Sequence, residues 1–483
     1  MTCGYIVLFL LCISSVHSSV LDNRIEENNG TDTTPEEITQ RLQNQTNHVE
    51  HNLRRSFRVE PSFRKRRLQN LRARAQKVLT KSAMNHTEIG ALRQKIHNVT
   101  IDNSPKSTED DLFKLNMNEG VADYLYQGDI NLMENQLTEL ENEYVESSRV
   151  KRQMNSKKRA SITKALTHIQ ENTCVKFQES SSAANRVKVV NGNGCYSYVG
   201  MVGGVQELSL GDGCEVVGTV AHEFTHALGA WHSQMRYDRD SYVTIDLSAV
   251  PSTYQGNFDK KNSANTINYT PYEYGSFMHY GANSFVTSTS KQSIIPKESD
   301  YAYTMGNRQI SFYDMEMIRT AYGCGGCSYT ITCQNGGVQH PTKCNTCICP
   351  SGYAGTDCSS KPAGCGTYLT AKSNWQTTVI TVGDKSDYSN VRDDFILCTS
   401  WVTAPTDKKV QVRITAMYNP QCNFGCVFNG IEIKKKADQR IVNPRICCPS
   451  LNDQEITSEL NPTPIIAYNR YYYNTFTVQY RYV

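Results

Sequence analysis

The stretch Val220-Ala221-His222-Glu223-Phe224-Thr225-His226-Ala227-Leu228-Gly229-Ala230-Trp231-His232 decides the reading of this chain. On a helix, His222 and His226 sit one turn apart on the same face, so both imidazoles reach one ion. The residues from Cys214 to Leu228 are apolar enough to form a buried helix that holds them rigidly. Glu223 falls beside the metal edge, where its carboxylate can take a proton from the attacking water. Gly229 can adopt the positive φ that ends the helix, and the turn brings His232 back as a third ligand. Three histidines on one ion leave a fourth position for water and substrate, as in catalytic rather than structural zinc sites. The five-residue core of the pattern is common by chance. Its extension through Gly229 to His232 adds two fixed positions at fixed spacing, which chance rarely supplies.

Downstream, Tyr274-Gly275-Ser276-Phe277-Met278-His279-Tyr280 supplies a methionine turn. A lone methionine is ordinarily core filler. After the long zinc motif, Met278 is instead expected beneath the metal.

With these motifs on the page, His222 to Asp240 and Ser276-Phe277-Met278-His279-Tyr280 resemble the astacin family of zinc endopeptidases. Gly194-Cys195-Tyr196-Ser197 and Gly203-Gly204-Val205-Gln206 resemble its active-site cleft, and the likeness runs closely over residues 161 to 324. It implies one Zn2+ per subunit on His222, His226 and His232, with Glu223 as general base. Tyr280 is implied as a further ligand that leaves when substrate enters and then hydrogen-bonds the oxyanion. It also implies the disulfides Cys174–Cys324 and Cys195–Cys214. Tyr126-Gln127-Gly128-Asp129 resembles the family's latency motif, in which Asp129 occupies the metal before activation.

The flanks fit a secreted zymogen. Tyr5 to Ile13 is a nine-residue apolar run followed by Val16 and Ser18, the size of a signal-peptide core and too short to span a bilayer. Residues 1–18 are therefore read as a signal peptide, with a buried N-terminal strand as the bland alternative. Removing them leaves sixteen of the 18 cysteines, an even number suited to an oxidising compartment. Residues 19–152 are polar, free of cysteine and expected to be largely disordered or weakly helical. This prosegment ends in Arg149-Val150-Lys151-Arg152, a dibasic stretch suited to a proprotein convertase cutting after Arg152. Glycosylation sequons stand at Asn29, Asn44, Asn85, Asn98 and Asn268.

Two departures from the family stand together. Ser233 replaces the glutamate that usually follows the third histidine and ties down the new N-terminus. Only the polar octapeptide Gln153 to Ala160 precedes a helix expected to begin near Ser161, where relatives have a Trp-Pro-containing strand. The buried N-terminal ion pair is therefore expected to be missing and the upper lobe looser.

Thirteen cysteines lie between Cys324 and Cys448. The six from Cys327 to Cys358 allow fifteen pairings. Cys333-Gln334-Asn335-Gly336-Gly337 and Cys347 to Cys358 resemble an EGF-like module, which implies Cys327–Cys344, Cys333–Cys347 and Cys349–Cys358. No acidic signature precedes Cys327, so no calcium is expected there. Beyond residue 361, alternating stretches such as Val410 to Ala416 and Thr475 to Tyr482 predict a β-sandwich. Its cysteines resemble the pattern of a divergent CUB domain. Cys365 with Cys398 is the expected pair, and Cys422, Cys426, Cys447 and Cys448 stay open. Tyr471-Tyr472-Tyr473 reads as packed or edge-strand aromatics before it reads as a binding patch.

The expected architecture is thus multidomain. It comprises an α+β metzincin-type catalytic domain with an active-site helix (153–324), a small disulfide-rich EGF-like module (325–360) and an all-β CUB sandwich (361–483). The 483 residues leave room for about three folded units. With 50 basic against 47 acidic residues, the chain lacks the excess of a nucleic-acid binder. A mean hydropathy of −0.52 argues against a membrane span. The domain order resembles nematode astacins, which implies extracellular protein substrates such as matrix, cuticle or eggshell. The competing reading is a non-catalytic extracellular binding protein acting through the EGF-like and CUB modules. A structural matrix component would carry low-complexity repeats that the chain lacks. The complete zinc motif favours the enzyme.

Overall fold

The computed structural model describes residues 156–288, 291–387 and 390–483, together with Leu8–Phe9, Lys65, Leu68, 112–118, 121–122, 125 and 128–131. The first helix, α1 (Leu112–Asn118), lies in the stretch 19–152. Helix α2 (Ser156–Asn172) begins five residues before the start expected near Ser161. The reason is tertiary: Lys158 is buried, and its ammonium donates to Asn191 at 2.6 Å and to Asp212 at 2.7 Å. Lys, Arg and Ala are also good helix formers, so Ser156 to Ala160 joins the helix once Lys158 has partners. Only residues 153–155 then separate Arg152 from the helix.

A three-stranded sheet follows, of β1 (Arg186–Val190), β2 (Cys195–Tyr196) and β3 (Val205–Leu210). Strand β3 lies in the middle, parallel to β1 and antiparallel to β2. Beneath it runs α3 (Val217–Ala227), every residue of which is buried. Val217, Val220, Ala221 and Phe224 recur at helical spacing and pack with Ile162, Ile169, Leu208 and Met315 in one core. Each of the larger of these side chains contributes about 2 kcal/mol on burial. Helix α4 (Phe312–Ala321) closes the lobe, opened by a capping box between Ser311 and Asp314. The Cys174–Cys324 disulfide ties its two ends across 150 residues.

A short module with the pairs Cys327–Cys344, Cys333–Cys347 and Cys349–Cys358 leads out of this domain. It leans on α2 through His340 Nε2, 2.9 Å from the Glu171 carbonyl, and on the next domain through Trp401 Nε1, which donates to the Gly352 carbonyl at 2.8 Å.

The C-terminal part is a two-sheet sandwich. Its strands are β4 (Tyr368–Thr370), β5 (Gln376–Gly383), β6 (Val391–Thr403), β7 (Val410–Tyr418), β8 (Asn429–Ile433), β9 (Arg445–Ile446), β10 (Ile456–Thr457), β11 (Thr463–Tyr471) and β12 (Tyr473–Tyr482). One sheet has the order β4-β6-β11-β8-β9 and the other β5-β12-β7-β10. Along β12, Phe476, Val478 and Tyr480 are buried, whereas the residues between them are half-buried, the alternation of a sheet with one wet face. Strand β11 is buried from Thr463 to Arg470 because its outer face is covered too, with Pro464 and Ile466 against Gly352. The sandwich carries Cys365–Cys398, and the four cysteines left open pair as Cys422–Cys448 and Cys426–Cys447.

The N-terminal region is described only in part. Part of the stretch 19–152 is ordered on the catalytic domain: Leu112, Val121, Leu125 and Ile130 are buried, with Ile130 clustered with Val199 and Met235. The apolar surface it covers supplies what its composition lacks. Leu8–Phe9 pairs in parallel with Lys176–Phe177. The rest of residues 1–18 lies outside the described residues, as do Arg152, Asn29, Asn44, Asn85 and Asn98. No helix among the described residues is long and apolar enough to cross a membrane.

Candidate metal centre

Helix α3 ends at Leu228. Gly229 takes φ 103°, and the Gly229 and Ala230 amides donate to the His226 and Thr225 carbonyls at 2.8 and 3.1 Å. This pair of backward bonds is the Schellman arrangement, which needs the positive φ that glycine permits. The chain reverses there and delivers His232 to the face that carries His222 and His226.

Asp129, His222, His226 and His232 are all buried, and their ligand atoms lie within 4.8 Å of one another. Asp129 Oδ2 stands 3.0 Å from His222 Nε2, 3.7 Å from His226 Nε2 and 2.9 Å from His232 Nε2. His226 Nε2 and His232 Nε2 are 3.2 Å apart. Three imidazole nitrogens and a carboxylate oxygen converging on one point form a donor set that a cation satisfies. The other ring nitrogens are committed to backbone: His222 Nδ1 lies 2.8 Å from the Phe277 carbonyl and His226 Nδ1 2.8 Å from the Ala230 carbonyl. Since a carbonyl only accepts, Nδ1 carries the proton in both, and each Nε2 lone pair faces the centre. Burial pushes the His222 and His232 imidazoles below their ordinary pKa, His232 to about 3, so both stay neutral as ligands must. Asp129 goes the other way: burial opposes its charge, yet the three histidines hold its carboxyl well below the usual range.

Both carboxylate oxygens of Glu223 are buried without a hydrogen-bond partner, as is Asp129 Oδ1. Burial first, and then the charge of Asp129, raise the Glu223 pKa well above the ordinary carboxylate value. Orphaned acceptors beside three converging imidazoles fit a bound metal ion. The Tyr280 ring is fully buried, 4.8 Å from the His232 ring and packed edge-on against Phe258.

The turn beneath is held from several sides. The Ser276 hydroxyl and the Phe277 amide donate to the two carboxylate oxygens of Asp314 on α4. The Met278 carbonyl accepts from the Ser233 amide at 2.9 Å, and the Tyr280 amide donates to Gln234 Oε1 at 3.2 Å. Met278 itself is buried. The Ser233 hydroxyl donates to the Ser276 hydroxyl at 3.0 Å, so the residue after the third histidine braces the methionine turn.

Asn116 was not legible in the sequence. From α1, its amide donates to the Gly128 carbonyl at 2.8 Å and the Cys195 carbonyl at 2.6 Å, and its oxygen accepts from the Cys195 amide at 2.7 Å. It thereby fastens the Asp129 turn to β2. Beside it, the Asn131 amide donates to the Ser197 carbonyl at 2.7 Å and the Ser197 amide donates to the Asp129 carbonyl at 3.1 Å. No sequence signal marks such an asparagine, because its partners are backbone groups distant in the chain. Asn268 borders a cavity of about 450 Å³ behind the centre, and its amide nitrogen, the atom a glycan would join, is buried.

A model of the astacin peptidase family matches residues 139–323. The chain is 40% identical over 451 residues to zinc metalloproteinase nas-32 of Caenorhabditis elegans, covering 88% of this chain and 68% of that protein. Zinc metalloproteinase nas-17 of the same organism is 42% identical over 331 residues, covering 68% of this chain and 75% of its own length. Among solved structures, high choriolytic enzyme 1, a hatching-enzyme zinc protease from Oryzias latipes, is 36% identical, with a TM-score of 0.33. That comparison covers 35% of this chain and 85% of that one.

Proposed function

The chain belongs to the astacin family of zinc metalloendopeptidases, and from that premise we propose that it is a secreted, latent zymogen whose centre is built from His222, His226, His232 and Glu223. The three histidines hold the zinc, which when bound supplies Lewis-acid polarisation of a water and of the scissile carbonyl. Glu223 accepts the proton of the attacking water and passes it to the leaving amine. Tyr280 moves toward the substrate and donates its phenolic hydrogen bond to the developing oxyanion.

Latency rests on one observation above all: Asp129 Oδ2 sits among the three ligand nitrogens. In that position the aspartate takes the place of water and substrate. The neighbouring backbone bonds with Ser197 engage the sheet edge along which an extended substrate would lie. Cleavage after Arg152 by a proprotein convertase releases the segment. The disulfide-rich module is read as EGF-like and the sandwich as a CUB domain, both presenting the protease to extracellular structural proteins. Sixteen paired cysteines support that compartment. With Ser233 spent on Ser276 and three residues ahead of α2, the mature N-terminus is read as free of a buried ion pair.

Cleavage-site profiling with the activated protein and its Glu223→Gln variant tests the catalytic reading. Cuts made by the native enzyme should vanish in the variant, and identical profiles would refute the role of Glu223.

A further inference from the structure

The sandwich meets the protease directly beneath the methionine turn. Glu273, five residues before Met278, is 5% exposed. One of its oxygens accepts from the Gly275 amide at 2.9 Å, within the turn; the other accepts from the Val442 amide at 3.1 Å, in the sandwich. Gly275 packs so closely that a Cβ added there would lie 2.4 Å from Val442 Cβ. The turn and the sandwich loop therefore touch backbone to side chain.

That loop is stiff. The buried Lys434 ammonium donates to the Gln439 and Ile441 carbonyls at 2.9 and 2.6 Å. Asn443 Oδ1 accepts from the amides of Lys435 and Lys436, and the Asn443 amide donates to Glu432 at 2.9 Å. Around it, opposite charges face each other across the boundary: Lys435 with Asp300, Lys436 with Glu298 and Arg440 with Glu316. The Tyr303 and Phe424 rings stack at 4.8 Å, and the Arg445 amide donates to the Thr304 hydroxyl at 2.9 Å.

We infer that Glu273 and the Val442 backbone form a clasp through which the C-terminal sandwich positions the floor of the metal centre, making Glu273 a positioning residue for the reaction. From Gly275 the chain runs through Ser276 to Phe277, whose carbonyl fixes His222. Removing the clasp takes away the sandwich-side hold on the turn that carries this carbonyl, leaving the bonds to Asp314, Ser233 and Gln234. Displacements of this kind, far from the reacting atoms, cost turnover more than binding.

Two full-length variants test this. Val442→Pro deletes the sandwich-side donor, and Glu273→Gln places an amide NH2 against one of the two backbone donors. In the metal-free protein, amide exchange at 275–280 should rise at least about tenfold in both, relative to Val442→Ala, which keeps the donor. With zinc and after activation, kcat on a short peptide should fall about tenfold with KM unchanged. Exchange that rises only at 441–446, leaving 275–280 protected, overturns the clasp. If Val442→Pro does not fold, Glu273→Gln decides alone, since its sandwich sequence is native. The exchange measurement needs no metal, so its failure is distinct from failure of the proposed zinc chemistry.

Discussion

His222 Nδ1 and the Phe277 carbonyl are 2.8 Å apart, so one backbone oxygen of the methionine turn sets the tautomer of a ligand on the active-site helix. The turn therefore does more than pack under the site. It orients the first histidine and leaves its Nε2 lone pair facing inward, as the Ala230 carbonyl does for His226.

This arrangement predicts that His222 and His226 are both protonated on Nδ1 in the zinc-loaded protein. Long-range nitrogen-15 correlation spectra of the imidazoles read the tautomer directly. An Nε2–H signal from either residue would remove it from the ligand set.

Asn116 should prove necessary for tight latency. Its three hydrogen bonds to Gly128 and Cys195 are buried, and loss of such partners costs about 2 kcal/mol, on the order of thirtyfold in the hold on the prosegment. Asn116→Ala should raise peptidase activity of the uncleaved chain by roughly that factor. Unchanged background activity would show that α1 plays no part in latency.

Glu273 links the sandwich to pH. Burial raises its pKa from 4.5 to about 8, with the Gly275 and Val442 amides opposing. A carboxyl whose folded pKa is raised binds its proton more tightly in the folded chain. Its contribution is fully present below about pH 4.5 and fades as pH climbs through about 8. Thermal melts of native and Glu273→Gln protein should therefore show a native advantage that narrows as pH rises from about 4.5 to 8. An advantage that widened over that range would mean the carboxyl is charged in the clasp.

How much the sequence disclosed follows from how local each feature is. The helix carrying His222 and His226, and the Gly229 turn to His232, depend on spacing and on one glycine, so they are legible residue by residue. The alternation in Thr475 to Tyr482 likewise marks a half-buried strand. The start of α2 was misplaced because Lys158 finds Asn191 and Asp212 only in three dimensions. The burial of Leu125 and Ile130 is illegible for the same reason, since the surface that covers them is supplied elsewhere in the chain. Glu273 and Val442 are 169 residues apart, and nothing in either local sequence announces the other.

The central claim is that Asp129 keeps a complete protease silent by filling the point where its three histidines converge. The most direct measurement is peptide hydrolysis by the uncleaved, zinc-loaded full chain, comparing native protein, Asp129→Ala, and Asp129→Ala combined with Glu223→Gln. The geometry predicts a silent native chain, an active Asp129→Ala chain and a silent double variant. An Asp129→Ala chain as silent as the native one, yet active once cut after Arg152, would contradict it.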